Sequence, residues 1–233
     1  MFIPLHDDNP IRHIARPYVT WALILATCVV YVLGVTEGGS QALASFAIVP
    51  VELIRMGVWG GPARGIYDTV AVPERYTVLS YMFLHADVLH LAGNMLFLWV
   101  FGDNVEDHFG HLRFLGFYLC CGVAGGISHA LMLPGSDAPL IGASGAVAGV
   151  ITAYVVMFPR VRVWVLVMRA IPLRITAAWA LGAWIASQFA MLALPYIVKG
   201  IDLGPVSWWA HIGGILAGGV LVFVLPPPRA VSE

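Results

Sequence analysis

The chain has 233 residues, of which 60% are apolar and only 11% charged, and its formal net charge is −1. Soluble domains carry about 25% charged residues, so the deficit excludes an ordinary water-soluble globule and points to lipid as the solvent. The near-neutral balance has no basic run that would suit a nucleic-acid partner.

Residues 1–17 contain Asp7, Asp8, Arg12 and Arg16 but no apolar core. They read as a cytoplasmic segment that is neither a signal nor a transit peptide, so the first helix is expected to act as its own insertion signal. A spanning helix needs about 20 mostly apolar residues. Six stretches qualify: Tyr18 to Val35, Thr77 to Gly102, Arg113 to Leu133, Pro139 to Phe158, Ile175 to Val198 and Pro205 to Leu225. Residues 18–225 are therefore expected to form one all-α, multi-pass membrane domain of six helices. Between the first two segments runs a long loop, Thr36 to Tyr76. Its stretch Phe46 to Val58 reads as a short amphipathic helix in the outer interface, followed by the breakers Gly60, Gly61, Pro62 and Gly65. Val163 to Met168 lies between Arg162 and Arg169, is too short to span, and is expected at the interface. Residues 226–233 open with three prolines and read as an extended or disordered tail. The three cysteines, Cys28, Cys120 and Cys121, all lie in apolar stretches and read as small buried residues.

Arginine and lysine face the cytoplasm in membrane proteins. With the N-terminus inside, the inner segments hold Arg12, Arg16, Arg113, Arg160, Arg162, Arg169, Arg174 and Arg229, against Arg55, Arg64, Arg75 and Lys199 outside. Both termini are then cytoplasmic. A bacterial plasma membrane is the expected setting, because the form is compact and carries no targeting peptide.

Polar side chains inside spanning segments are costly unless they face a partner or a cavity. The ones to be explained are His85, Asp87, His90 and Asn94 in the second segment, His129 in the third, Ser144 in the fourth, Gln188 in the fifth and His211 in the sixth. The second, fourth and sixth segments all enter from outside. His85, His90, Asn94, Ser144 and His211 therefore converge at one depth, below the outer surface. Ser144 is expected about five residues into its helix, or roughly 8 Å at the helical rise. His90 and Asn94, four apart, share a face. His211, Gly214 and Gly218 form one stripe, and Gly142, Ala143, Gly145, Ala148 and Gly149 surround Ser144. Small residues let membrane helices approach closely, so the fourth and sixth segments are expected to touch at Ser144 and His211.

A serine alone is a poor nucleophile, and a neutral imidazole within reach can take its proton. No Asp or Glu accompanies the pair on those two helices, so a dyad is expected, with Asn94, His90 and the Ser144 backbone N–H as oxyanion donors. Gly142 and Gly145 would leave that backbone accessible. His129 is an alternative base. A metal-dependent reading through His85, His90 and His211 lacks the H-E-x-x-H string, so neither metal nor cofactor is expected.

The strings FLHADVLHLAGNMLFLWVFGDNVED (Phe83 to Asp107), IGASGAVAG (Ile141 to Gly149) and AHIGG (Ala210 to Gly214) resemble the rhomboid intramembrane serine proteases over nearly the whole length. The resemblance implies Ser144 as nucleophile, His211 as general base, and Asn94 and His90 in the oxyanion hole. It implies a structural or water-organising role for His85, and a Glu106 that ties helix ends together on the cytoplasmic side. It implies a membrane-embedded first loop, transmembrane protein substrates and the bilayer as partner. The alternative is a catalytically inactive relative that binds and escorts membrane helices. Two positions depart from the pattern. Ala148 stands where some members place an aromatic ring against the imidazole, and Trp59 is followed by Gly60 where some carry a Trp-Arg pair.

Overall fold

The computed structural model describes residues 2–36, 39–56, 69–168, 170–201 and 206–225. Helices α1 (Tyr18–Gly34), α2 (Gly39–Ala44), α3 (Pro50–Met56) and α4 (Glu74–Ser80) lead into a 3-10 turn, Tyr81–Phe83. There follow α5 (Val88–Phe109), α6 (His111–Met132), α7 (Ser144–Met157), α8 (Ala177–Ile197) and α9 (Trp208–Val224). Each of the six predicted segments overlaps one of the longer helices. By length and composition, α5, α6 and α8 can cross a membrane, whereas α1, α7 and α9 are apolar but have 17, 14 and 17 residues. The second segment is interrupted at residues 84–87, where Asp87 starts α5 afresh by accepting the His90 N–H at 2.9 Å.

The expectation of an all-α fold needs correcting. Strands β1 (Phe2–Asp7), β2 (Arg162–Val167) and β3 (Ile171–Thr176) form an antiparallel sheet in the order β1-β2-β3. Val163 and Val165 are buried while Trp164 and Arg162 point outward, a period-two alternation that a hydropathy window averages away. Pro4 and Pro172 fall on the two edge strands, where a missing ladder N–H is tolerated. Val163 to Val167 thus lies in the central strand of a sheet, and Met168 in the turn that follows.

The core is aromatic. Tyr81, Phe101, Phe109, Phe114, Phe117, Tyr118 and Tyr154 are all essentially inaccessible. Around it the surface stays apolar, with Leu25, Leu89, Trp99, Leu112, Trp179, Tyr196 and Phe223 exposed. Apolar exposure on this scale suits hydrocarbon rather than water. Helix α8 is weakly embedded, burying only Ala177, Ala180, Leu181 and Gln188 of its 21 residues.

Among the described residues the expected amphipathic helix of the first loop is limited to α3, because Ala47, Ile48 and Val49 before it are extended or turned and buried; Gly57 and Val58 lie outside the described residues. Ile48 forms an antiparallel bridge with Leu140. This part of the loop packs on protein. Trp59, the breakers at Gly60, Gly61, Pro62 and Gly65, and the tail 226–233 lie outside the described residues.

Candidate active site

The approach to Ser144 is held from two sides. Leu140 and Ile48 exchange backbone hydrogen bonds at 2.7 and 3.2 Å, and the Gly142 N–H donates to the Tyr81 carbonyl at 3.0 Å. Gly142 has φ +122°, a region that disfavours side chains, and a Cβ there would lie 2.7 Å from His90 Cε1. Helical geometry therefore cannot begin before this glycine. Ser144 is the first residue of α7, not about five residues into it. The first hydrogen bond of the helix runs from Val147 N–H to Ala143 O at 3.0 Å, so the N–H groups of Ser144, Gly145 and Ala146 precede the helical ladder.

Helices α7 and α9 meet without side chains between them. A Cβ on Gly214 would strike the Gly145 carbonyl, and one on Gly218 would lie 2.6 Å from the Gly149 carbonyl. This backbone contact brings His211, the fourth residue of α9, to Ser144: Nε2 is 2.8 Å from Oγ. His211 is buried between Trp208, in an edge-on arrangement with centroids 5.9 Å apart, and Trp184, tilted at 6.2 Å. Its Nδ1 is 2.8 Å from Gln188 Oε1. Ala148 is fully buried and contributes no ring.

From α5 and the turn before it come His85, His90 and Asn94. Asn94 Nδ2 is 3.0 Å from His85 Nε2, and the Ala143 N–H donates to the same nitrogen at 3.4 Å. The His90 ring stands edge-on to His85, with centroids 4.9 Å apart, and lies against Gly142. His85 thus touches the serine loop more directly than its expected supporting place implied. His129 lies in a different hollow, lined also by Leu133, Met191, Tyr196 and Trp208. The ring that reaches Ser144 is that of His211.

The described geometry coincides with a family match. Residues 73–228 fit the rhomboid domain model. The chain belongs to the rhomboid family. Among its relatives, RHOMBOID-like protein 2 of Arabidopsis thaliana is 34% identical over 152 residues, 65% of this chain and 43% of that protein. RHOMBOID-like protein 6, mitochondrial, of the same plant is 31% identical over 156 residues, 65% of this chain and 44% of the relative. Rhomboid protease GluP of Bacillus subtilis (strain 168) is 29% identical over 220 residues, 92% of this chain and 36% of that protein. The chain spans between about a third and a half of the length of these relatives. It is thus a membrane-embedded member of a family that includes proteases.

The rhomboid domain match takes in Ser144, His211, His85, His90 and Asn94, and also Glu106 at the far end of α5. Glu106 is about 18 Å from Asn94 along the helix axis. It is fully buried and accepts the N–H groups of Val19 and Thr20 at 3.0 and 2.7 Å. Sequence reasoning singled out Gln188 only as a costly polar residue and passed over Trp184 and Trp208. The signal available for Trp184 and Gln188 was their four-residue spacing, which puts them on one face of α8.

Proposed function

We propose that this rhomboid is an intramembrane serine endopeptidase that cuts transmembrane segments of other membrane proteins near the outer face. The observation that carries the reading is the 2.8 Å contact between His211 Nε2 and Ser144 Oγ. In this reading α1, α5, α6, α7, α8 and α9 all cross the bilayer. The arginine distribution favours cytoplasmic termini.

His211 takes the Ser144 proton as Oγ attacks the scissile carbonyl carbon, then returns it to the leaving amine. Water hydrolyses the acyl-enzyme with the same base. The negative oxygen of each tetrahedral intermediate is met by the N–H groups at the start of α7, whose dipole favours negative charge. Asn94 has a second N–H beyond the one facing His85, and this N–H and His90 complete the donor set. Gly142 and Gly145 keep side chains off that backbone. A substrate helix must unwind before attack, since its peptide bonds are shielded by their own ladder. Weakly helical segments with small residues are therefore favoured.

The experiment is cleavage of a single-span reporter by purified protein, with fluorophosphonate labelling in parallel. Cleavage and labelling are both expected, and both should vanish in Ser144→Ala and His211→Ala. Full activity in Ser144→Ala would sink the mechanism. An intact protein that neither cleaves nor labels would favour a helix-binding escort. Activity lost to a chelator, with stoichiometric bound zinc, would favour a metal site. Loss in His129→Ala with activity kept in His211→Ala would move the base to α6.

A further inference from the structure

We infer that Gln188 is a third, neutral member of the site: a positioning residue whose Oε1 accepts the Nδ1–H of His211 and so turns a bare Nε2 toward Ser144. The inference rests on the serine-protease reading of the Ser144–His211 pair.

The chemistry of the amide decides which end faces the imidazole. Gln188 Nε2 lies 3.0 Å from the Trp184 carbonyl and 3.0 Å from Ser187 Oγ. A carbonyl oxygen only accepts, so the atom facing it must be the NH2 group. The other end of the amide is then the oxygen, 2.8 Å from His211 Nδ1. An amide oxygen also only accepts, so Nδ1 must carry the hydrogen. A neutral imidazole has one ring hydrogen, and with it on Nδ1 the lone pair is on Nε2, which faces the Ser144 hydroxyl at 2.8 Å. Reversing the amide would set an NH2 group against Nδ1 and move the ring hydrogen to Nε2. The ring could not then act as a base toward Ser144.

Placement supports the same role. Gln188 is the only buried residue of α8 beyond Leu181, although an amide is expensive to bury without partners. Both ends of this amide have partners. Helices α7, α8 and α9 contain no Asp, Glu, Lys or Arg. Among the described residues, the titratable neighbour that acts on the ring is His90 on α5; His129 on α6 lies in the separate hollow beyond Trp208. A carboxylate in the third place would be costly at this depth, and a neutral amide fixes the tautomer without that charge. It also supplies the hold on the imidazole that Ala148 does not.

The test compares wild type, Gln188→Leu and Gln188→Glu. Wild type should show His211 as the Nδ1–H tautomer in 15N spectra of histidine-labelled protein, with the signal assigned by its loss in His211→Asn. Gln188→Leu, similar in size but without an acceptor, should lose that preference and lower kcat by about 10- to 100-fold, as loss of an orienting partner does elsewhere, with KM little changed. Gln188→Glu should recover most of the kcat lost in Gln188→Leu. It should also move the acidic limb of the pH profile upward, because a carboxylate favours the imidazolium. Wild-type kcat in Gln188→Leu, or an Nε2–H tautomer in wild type, would overturn the inference. A wild type that neither cleaves nor labels would instead overturn the protease reading. The tautomer, which is read without turnover, would still decide for or against Gln188.

Discussion

Glu106, near the end of α5, accepts hydrogen bonds from both the backbone N–H and the hydroxyl of Thr20, each at 2.7 Å. A third comes from the Val19 N–H at 3.0 Å, and His111 Nδ1 lies beside the same carboxyl. Pro17, at the N-cap of α1, makes no side-chain cap. An acid on another helix therefore caps α1 and faces the positive end of its dipole. Hydrogen bonds to a buried charge contribute about 1.5–3 kcal/mol each, with large overlap between neighbours. Glu106→Ala should destabilise the protein by about 3 kcal/mol, the scale of removing one partner from a buried polar network. Glu106→Gln should fall between it and wild type. Thermal unfolding in detergent measures both. Fluorophosphonate labelling of still-folded Glu106→Ala should persist, because the site lies at the other end of α5.

The close approach of α7 and α9 leads to a second expectation. At Gly214 the obstacle to a Cβ is the Gly145 backbone, which cannot rotate away. Gly214→Ala must push the helices apart where His211 meets Ser144, lengthening the 2.8 Å contact. Labelling and kcat should drop at least about tenfold, since small misplacements near reacting atoms cost this much or more. Gly182 on α8 is the control, because a Cβ there meets nothing within 4 Å. Gly182→Ala should keep activity and gain about 0.5–1 kcal/mol in helix stability.

The parts of this site that could be read from sequence were those carried by spacing within one helix. His90 and Asn94 four apart, and His211, Gly214 and Gly218 in one stripe, are patterns of a 3.6-residue period. Depth followed from counting apolar segments. What the sequence hid depends on contacts between distant segments. Ser144 begins α7 because Gly142 adopts φ +122° under Tyr81 and His90, and a G-A-S string does not announce that angle. The sheet leaves no local signal, because Pro4 of β1 pairs with Val165 of β2, 161 residues away, and each strand has only six residues. Gln188 carries no explanation on its own helix, because its partner His211 stands on α9.

Asp87 joins local structure to the site. Its carboxylate accepts the His90 N–H at 2.9 Å and starts α5 at the turn that presents His90 and, one turn later, Asn94. Asp87→Ala should cost about 1 kcal/mol, the usual loss for such a cap. Asp87→Asn should lose much less. Because the first turn carries His90, Asp87→Ala should lower kcat more than it raises KM in reporter cleavage. Equal kinetics in Ala and Asn variants would show that the cap does not matter to the site.

The sheet contributes a pH dependence. Asp7 of β1 is buried and accepts the Tyr154 hydroxyl of α7 and the Asn104 amide of α5, the latter at 3.2 Å. Burial pushes its carboxyl up from 3.8 to about 6, against the pull of the Tyr154 hydrogen bond, with Asp103 adding to the rise. Between about pH 4 and 6 the folded chain holds this proton and the unfolded chain does not. Folding stability from this group is therefore greatest below pH 4, falls as pH climbs through that window, and is level above about 6. Asp7→Asn should remove this contribution, so that its unfolding midpoint changes less with pH across the window than that of wild type. Tyr154→Phe removes a donor that holds the charged form, so the falling limb should move to higher pH. Tryptophan fluorescence melts in detergent from pH 4.5 to 7.5 measure all three. Parallel curves for wild type and Asp7→Asn would mean that Asp7 titrates alike in both states, and that the link from β1 to α7 is no stronger with the proton than without it.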